Sequence, residues 1–427
     1  MKLTVIVVIA CVTGLAMWCM AQSGAPKDAP KAAPAEADVA AVAKDGDAFA
    51  MDMYAKLATK EGNIFFSPAS IDTALAMTYA GARGRTAEQM AKTLHFSLPP
   101  DKLNPAFAAL IDKLNHPAEV NEFDEGGKIK KVPAYQLTVS NALWGQKGYP
   151  FKADFTNLVA KDYGAAMNEV DYAKPEIARE VINKWVANQT KDKIQDLIPP
   201  GALDTLTRLV LTNAVYFKSN WEEKFQKQAT KDEAFHVTAD DAVKTPLMHQ
   251  TRHFNYMEND DLQAVELPYN SRQLSMVVLL PRKLDGLPAL EKSLTAGNVA
   301  KWLAALADAK VELTLPKFKF TSQFGLGDTL KSMGMTDAFD ANKADFSGMT
   351  AEEKLYISAV IHKAFVAVDE EGTEAAAATA VVMRAGAAMP RPEETRIFKA
   401  DHPFVFLIRH NATGEILFMG KVANPKE

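Results

Sequence analysis

The chain has 427 residues, 48% of them apolar and 24% charged, with 48 basic against 53 acidic side chains and a net charge of −5. That composition provides for a large soluble core, and the mixed charge leaves no basic stripe of the kind that nucleic acid requires. Beyond the amino-terminal segment, no run reaches the ~18 apolar residues that span a bilayer.

Residues 1–21 have a basic start at Lys2, an apolar stretch over 3–18 and small residues near the end. This is the pattern of a secretory signal cut after Ala21. Both cysteines, Cys11 and Cys19, would leave with it, and the mature chain would depend on packing rather than on disulfides. Val8-Ile-Ala-Cys11 also resembles a bacterial lipobox, and a lipid on Cys11 is the rival that would tether the protein. Either way the protein is expected outside the cytoplasm, secreted, extracellular or periplasmic, and of bacterial type. Residues 22–44, rich in Ala, Pro and Lys without aromatics, are expected as a flexible linker. Residues 45–427 are expected as one mixed α and β domain, with no repeat and no second linker.

Phe49, Met53, Tyr54 and Leu57 stand at helical spacing before a break at Glu61-Gly62. Ser67-Pro68 starts a second helix, Ser as the cap and Pro in the first helical position, and that helix should end near Gly81. Thr86-Ala-Glu-Gln89 has the spacing of a capping box and predicts a third helix from Thr86. The apolar runs 209–217, 274–280, 311–320 and 361–368 predict buried strands. Two more strand-like runs, 404–408 and 416–419, close the chain.

Between them lies the segment 369–383, Asp-Glu-Glu-Gly-Thr-Glu-Ala-Ala-Ala-Ala-Thr-Ala-Val-Val-Met. Four consecutive alanines suit a surface helix. Strand parity gives the other reading: Thr373, Ala375, Ala377, Thr379, Val381 and Met383 form an uncharged face, and both Glu374 and Arg384 fall on the opposite one. On the uncharged face nothing bulkier than Thr precedes Val381, as a segment sliding between two strands would require.

Catalytic motifs are absent. There is no Gly-x-Ser-x-Gly, His-Glu-x-x-His or Cys-x-x-Cys. Gly325 and Gly327 begin a dinucleotide loop without its third glycine, and Gly414 to Lys421 misses the phosphate-loop spacing. His249 and His253 are the one histidine pair at helical spacing, and without a third ligand two surface histidines are the favoured reading. No enzyme, cofactor or metal is expected. Asn188 and Asn411 match the glycosylation triplet, and no chemistry is placed on them.

Several motifs occur in a fixed order: Asn63-Ile-Phe-Phe-Ser-Pro-Ala-Ser-Ile71, Thr212-Asn-Ala-Val-Tyr-Phe-Lys218 with Trp221, Leu315-Pro-Lys-Phe318 and Ala344-Asp-Phe-Ser-Gly348. Val360-Ile-His-Lys-Ala-Phe365, His402-Pro-Phe-Val-Phe and Phe418-Met-Gly-Lys421 follow. The ordered set resembles the serpin family of protease inhibitors over essentially all of residues 45–427. The resemblance implies an α+β serpin fold with about nine helices, two further sheets and a five-stranded central sheet that accepts an exposed reactive loop as an extra strand.

It also implies site residues. Ser67, Ser70, Asn213 and His362 match the polar cluster where the central strands part, a candidate latch; read alone, the serines merely start a helix and His362 is a satisfied core histidine. Trp221 and Lys317 match positions at the top of the sheet, where Lys317 could pair with Glu370. Glu370, Gly372, Thr373, Glu374, Ala375, Ala376 and Ala377 form the hinge.

Counting from the hinge puts the cleaved bond at Gly386-Ala387, while counting back from Pro403 points nearer Met389, and Ala385 and Arg384 are further alternatives. Residues 373–386 would make roughly 46 Å of strand at ~3.3 Å per residue. The implied function is to trap a serine protease as a covalent acyl-enzyme, and the protein is expected to be a monomer. Small residues around Gly386 favour an elastase-like or subtilisin-like partner, and Arg384 would suit a trypsin-like one. A non-inhibitory serpin acting as a carrier is the alternative, which the small-residue hinge disfavours.

Overall fold

A computed structural model describes residues 34–123, 128–165, 167–351, 355–373 and 394–426. Nine α-helices and two large sheets make up these residues. The helix expected around Phe49 begins earlier, spanning Glu36–Leu57, and buries Val39, Val42 and Ala43 as well as Phe49 and Met53. Residues 36–44, expected as linker, are therefore part of the domain. Their Ala-rich composition hides a buried stripe at helical spacing. The expected signal segment and residues 22–33 lie outside the described residues.

The second helix runs Pro68–Tyr79, with the Ser67 hydroxyl accepting from the Ser70 N–H at 3.2 Å. The third spans Gly84–Thr93 and has Arg83, not a Thr86 capping box, before it. Both would-be capping side chains are engaged elsewhere. Thr86 Oγ1 accepts from the Asp345 N–H at 2.9 Å, and Gln89 Oε1 accepts from the Asp337 N–H at 2.8 Å.

The apolar run 311–320 is two strands, Ala307–Pro316 and Phe318–Gly325, in different sheets. Pro316, which has no N–H, ends the first, and Lys317 is the junction. The two further sheets of the expectation run together as one nine-stranded sheet. Its long strand Ala242–Glu258 pairs with Lys231–His236 and Ala307–Pro316 along most of its length and with Leu262–Pro268 at its end. A separate hairpin pairs Glu119–Phe123 with Ile129–Pro133.

The central sheet has the order Phe318–Gly325, Ala359–Val368, Gly372–Thr373, Leu209–Asn220, Tyr135–Gln146 and Met167–Val170. Leu209–Asn220 is buried at nearly every position, so both of its faces are covered, and this explains why its sequence reads as a continuous apolar run. Five strands span the sheet and the sixth, Gly372–Thr373, is two residues long.

Candidate functional site

The seam between Ala359–Val368 and Leu209–Asn220 is the feature that sets this sheet apart. Lower down, the two strands pair directly in parallel over six positions, from Ala359 with Val210 to Ala364 with Val215. At the top Gly372–Thr373 lies between them, antiparallel to both: Thr373 pairs with Val368 and Ser219, and Gly372 with Asn220. Two residues, Gly372 and Thr373, thus occupy the top of the seam as a strand between its two neighbours.

Side chains around this short strand hold it in place. Thr373 is 1% exposed and its hydroxyl lies 2.6 Å from that of Tyr269. Tyr269 stacks on Trp221 with ring centroids 4.6 Å apart. Trp221 donates its indole N–H to Asp369 O and its backbone N–H to Glu371 O, both at 2.9 Å. Lys317 Nζ is 2.7 Å from Glu370 Oε2, the pairing expected from the sequence, and Thr230 donates to Glu370 Oε1 at 2.8 Å. Lys224 and Lys227 hold Glu371 at 2.7 and 3.2 Å.

Burial alone would raise the Glu370 carboxyl, but hydrogen bonds from Lys317 and Thr230 outweigh it and hold the group below the ordinary carboxylate range. Burial likewise acts on Glu371 and is outweighed by Lys224 and Lys227. Both side chains are thus anionic anchors at neutral pH.

Below the short strand, where its neighbours pair directly, Asn213 and His362 are register partners. His362 is fully buried, and desolvation brings its pKa down to about 3, so the ring is neutral. The Ser67 N–H points to Nε2 at 3.2 Å, making Nε2 the acceptor, so Nδ1 carries the proton and donates to Asn213 Oδ1. Asn213 Nδ2 donates to Ser70 Oγ and to Asn141 Oδ1. The Ser67 hydroxyl donates to Leu417 O at 2.7 Å. Ser67, Ser70, Asn213 and His362 therefore come together as one network, which spans the seam and ties both strands to the second helix and the last strand.

Sequence reasoning missed Asn141, Tyr269, Thr230, Lys224, Lys227 and Glu371. Asn141 is the register partner of Asn213 on the neighbouring strand, a relation that only the pairing reveals. Glu374, Ala375, Ala376, Ala377 and the bond candidates Arg384, Ala385, Gly386, Ala387 and Met389 lie outside the described residues. His249 and His253 sit on the strand Ala242–Glu258 rather than on a helix, so four positions separate them by roughly 13 Å. His253 Nδ1 lies 2.9 Å from Asp308. Among the described residues no side-chain group is placed to hold a metal ion, and no helix is long and apolar enough to cross a membrane.

A mixed α and β fold whose central sheet carries a two-residue strand at the mouth of a closed seam is a distinctive architecture. Comparison with known proteins gives the family. The family model described as Serpin (serine protease inhibitor) matches residues 44–425. An uncharacterized serpin-like protein of Thermococcus kodakarensis is 44% identical over 382 residues, covering 89% of this chain and 85% of the relative. The leukocyte elastase inhibitor of Equus caballus is 42% identical over 388 residues, covering 88% and 97%. The crystal structure of a highly specific serpin from the insect Tenebrio molitor superposes with a TM-score of 0.78 at 32% identity, covering 90% of this chain and 98% of that one. The chain belongs to the serpin family, a family of protease inhibitors rather than of catalysts.

Proposed function

We propose that this protein traps a serine protease outside the cell that makes it: the protease cuts the loop after Thr373, remains attached as an acyl-enzyme, and is carried away as the loop enters the central sheet. The observation that carries this reading is the pair of bridges from Gly372–Thr373 to the strands on either side. The entering strand already has its direction and register. Six residues further along the loop, and six back along each neighbour, Thr379 would lie between Asn213 and His362. Insertion would then replace the direct pairing of Ala359–Ala364 with Val210–Val215 by two new ladders. Hydrolysis of the acyl-enzyme competes with insertion, so speed decides the outcome, and small uncharged residues at Thr373, Ala375 and Ala377 serve speed.

Gly386-Ala387 remains the preferred bond. Its small flanking residues, and the relative named as a leukocyte elastase inhibitor, favour an elastase-like target. Incubation with elastase, subtilisin and trypsin is expected to give an SDS-resistant complex with at least one of them. Mass spectrometry of the released carboxy-terminal peptide would locate the bond. Thr373→Arg should turn the inhibitor into a substrate, because a charge cannot be desolvated cheaply in the buried place beside Tyr269, and the strand would lose the seat from which the rest of the loop enters. Cleavage by all three proteases without any complex would overturn the reading.

A further inference from the structure

Three carboxylates outside the hinge and the seam, Asp72 and Glu415 buried and Asp47 half-buried, lie where two helices meet the end of the chain. Asp47 comes from Glu36–Leu57, Asp72 from Pro68–Tyr79 and Glu415 from the turn before Ile416–Val422. Asp72 is 2% exposed and Glu415 4%. Each has an oxygen with no hydrogen-bond partner, Oδ1 of Asp72 and Oε2 of Glu415. Asp47 Oδ1 accepts from the Ile416 N–H at 2.8 Å. The helix backbone at Gly46 packs against Asp72, whose Oδ2 would lie 3.5 Å from a Cβ built there.

The groups around them do little to neutralise three charges. Asp45, on the first helix, adds a fourth acid toward Asp72 and is itself engaged by Ser97. Tyr163, at the end of Ala153–Tyr163, is buried and donates to Asn104. Arg409 acts on Asp47, while His410 contributes a backbone N–H to Glu415 O. A buried carboxyl with an orphan oxygen keeps its proton. Burial is the largest cause throughout: it raises Asp72 well above the ordinary range, with Glu415 and Asp45 adding to it, and raises Glu415 to about 8, with Asp47 adding. It raises Asp47 to about 7 against the Ile416 N–H and Arg409.

This cluster adjoins the network that spans the seam. Asp72 is two residues past Ser70, and Glu415 two residues before Leu417, whose carbonyl accepts the Ser67 hydroxyl. A cavity of about 140 Å³ has Ser67, Ser70, Asn141, Tyr163 and Glu415 in its wall.

We propose that Asp47, Asp72 and Glu415 form a proton-operated brake on the central sheet. Protonated, they hold the second helix against the last strand and keep the seam closed. When they lose protons to solvent, repulsion between these crowded charges separates the two elements and frees the sheet to open. The brake rests on the reading that the sheet opens to accept a strand. The sign follows from the raised pKa values: the closed sheet binds more protons than the open one, so raising pH through 7 to 8 favours opening.

The test is the rate at which a synthetic peptide with the sequence of residues 373–386 enters the intact protein, followed by native gel mobility from pH 6 to pH 9. No protease takes part, so failure to trap proteases would refute the proposed function and leave this measurement standing. The natural chain is expected to accelerate about tenfold across that range, one pKa unit of coupling. Asp72→Asn with Glu415→Gln should flatten the profile. A flat natural profile, a profile untouched by the substitutions, or no peptide entry at any pH would each overturn the brake. Should the double variant not fold, Glu415→Gln alone and infrared spectroscopy decide: a protonated carboxyl band at pH 6.5 that weakens by pH 9 is expected, and its absence at pH 6.5 overturns the proposal.

Discussion

At Gly372 the chain passes so close to its neighbour that a Cβ would run into the Ser219 carbonyl oxygen and come within 2.7 Å of Asn220 Cα. Those atoms are backbone and cannot swing aside. Gly372→Ala is therefore expected to lift the two-residue strand out of the sheet, separating Thr373 from Ser219 and Tyr269. Amide exchange at Ser219 and Val368 should quicken, and unchanged protection there would contradict the account. His362 makes the complementary case. Replacing it with Leu removes the acceptor for the Ser67 N–H and the donor for Asn213 Oδ1, leaving two buried groups unpaired at about 1–3 kcal/mol each. A lower unfolding midpoint and faster peptide entry are expected together. The four residues Ser67, Ser70, Asn213 and His362 were legible because each sits in a recognisable motif. Asn141 and Tyr269 were not, because what matters about them is register and stacking, which no local pattern encodes.

Elements were legible where burial on both faces leaves an unbroken apolar run, as in Leu209–Asn220 and Leu274–Pro281. The same signal misled over 311–320, since two strands buried in different sheets, joined only at Lys317, look like one. Composition concealed the start of the first helix at Glu36 for a related reason: alanines and lysines resemble a linker until the buried stripe is seen. The hinge strand is short, and its anchors rather than its own ladder fix it. Glu370 and Glu371 both have depressed pKa values, so their contribution is complete above the ordinary carboxylate range and is lost only as pH falls through the depressed values. Protection at Val368 and Thr373 should thus persist down to about pH 5 and fail in stronger acid. Replacing Lys317 with Met should move that loss to higher pH. A hinge that loosens in the natural chain at neutral pH would count against these anchors.

At the scale of the whole molecule, the proposed trapping makes the closed seam a kinetic state: opening would have to separate six paired positions and the His362–Asn213 bond before a new strand could repay them. The two ends of this barrier respond to pH in opposite directions. In acid, Glu370 and Glu371 are neutralised, and any opening that hydrates His362 is favoured as well, because its pKa is held at about 3 when the seam is shut. In alkali, the raised carboxyls Asp47 and Glu415 give up their protons and charge the region behind the second helix. Spontaneous loss of inhibitory capacity on warming should therefore be slowest near neutral pH and quicken on both sides, the acid side setting in below about pH 6.5, where a hydrated imidazole takes up its proton. Glu415→Gln should lower the alkaline arm and leave the acid arm in place, while Lys317→Met should move the acid arm to higher pH and leave the alkaline arm in place. Residual activity against the target protease, measured after timed incubation on both sides of neutral pH, tests both arms at once. A rate that changes monotonically with pH, or two substitutions that shift both arms alike, would show that the entry and the seam are not separately held.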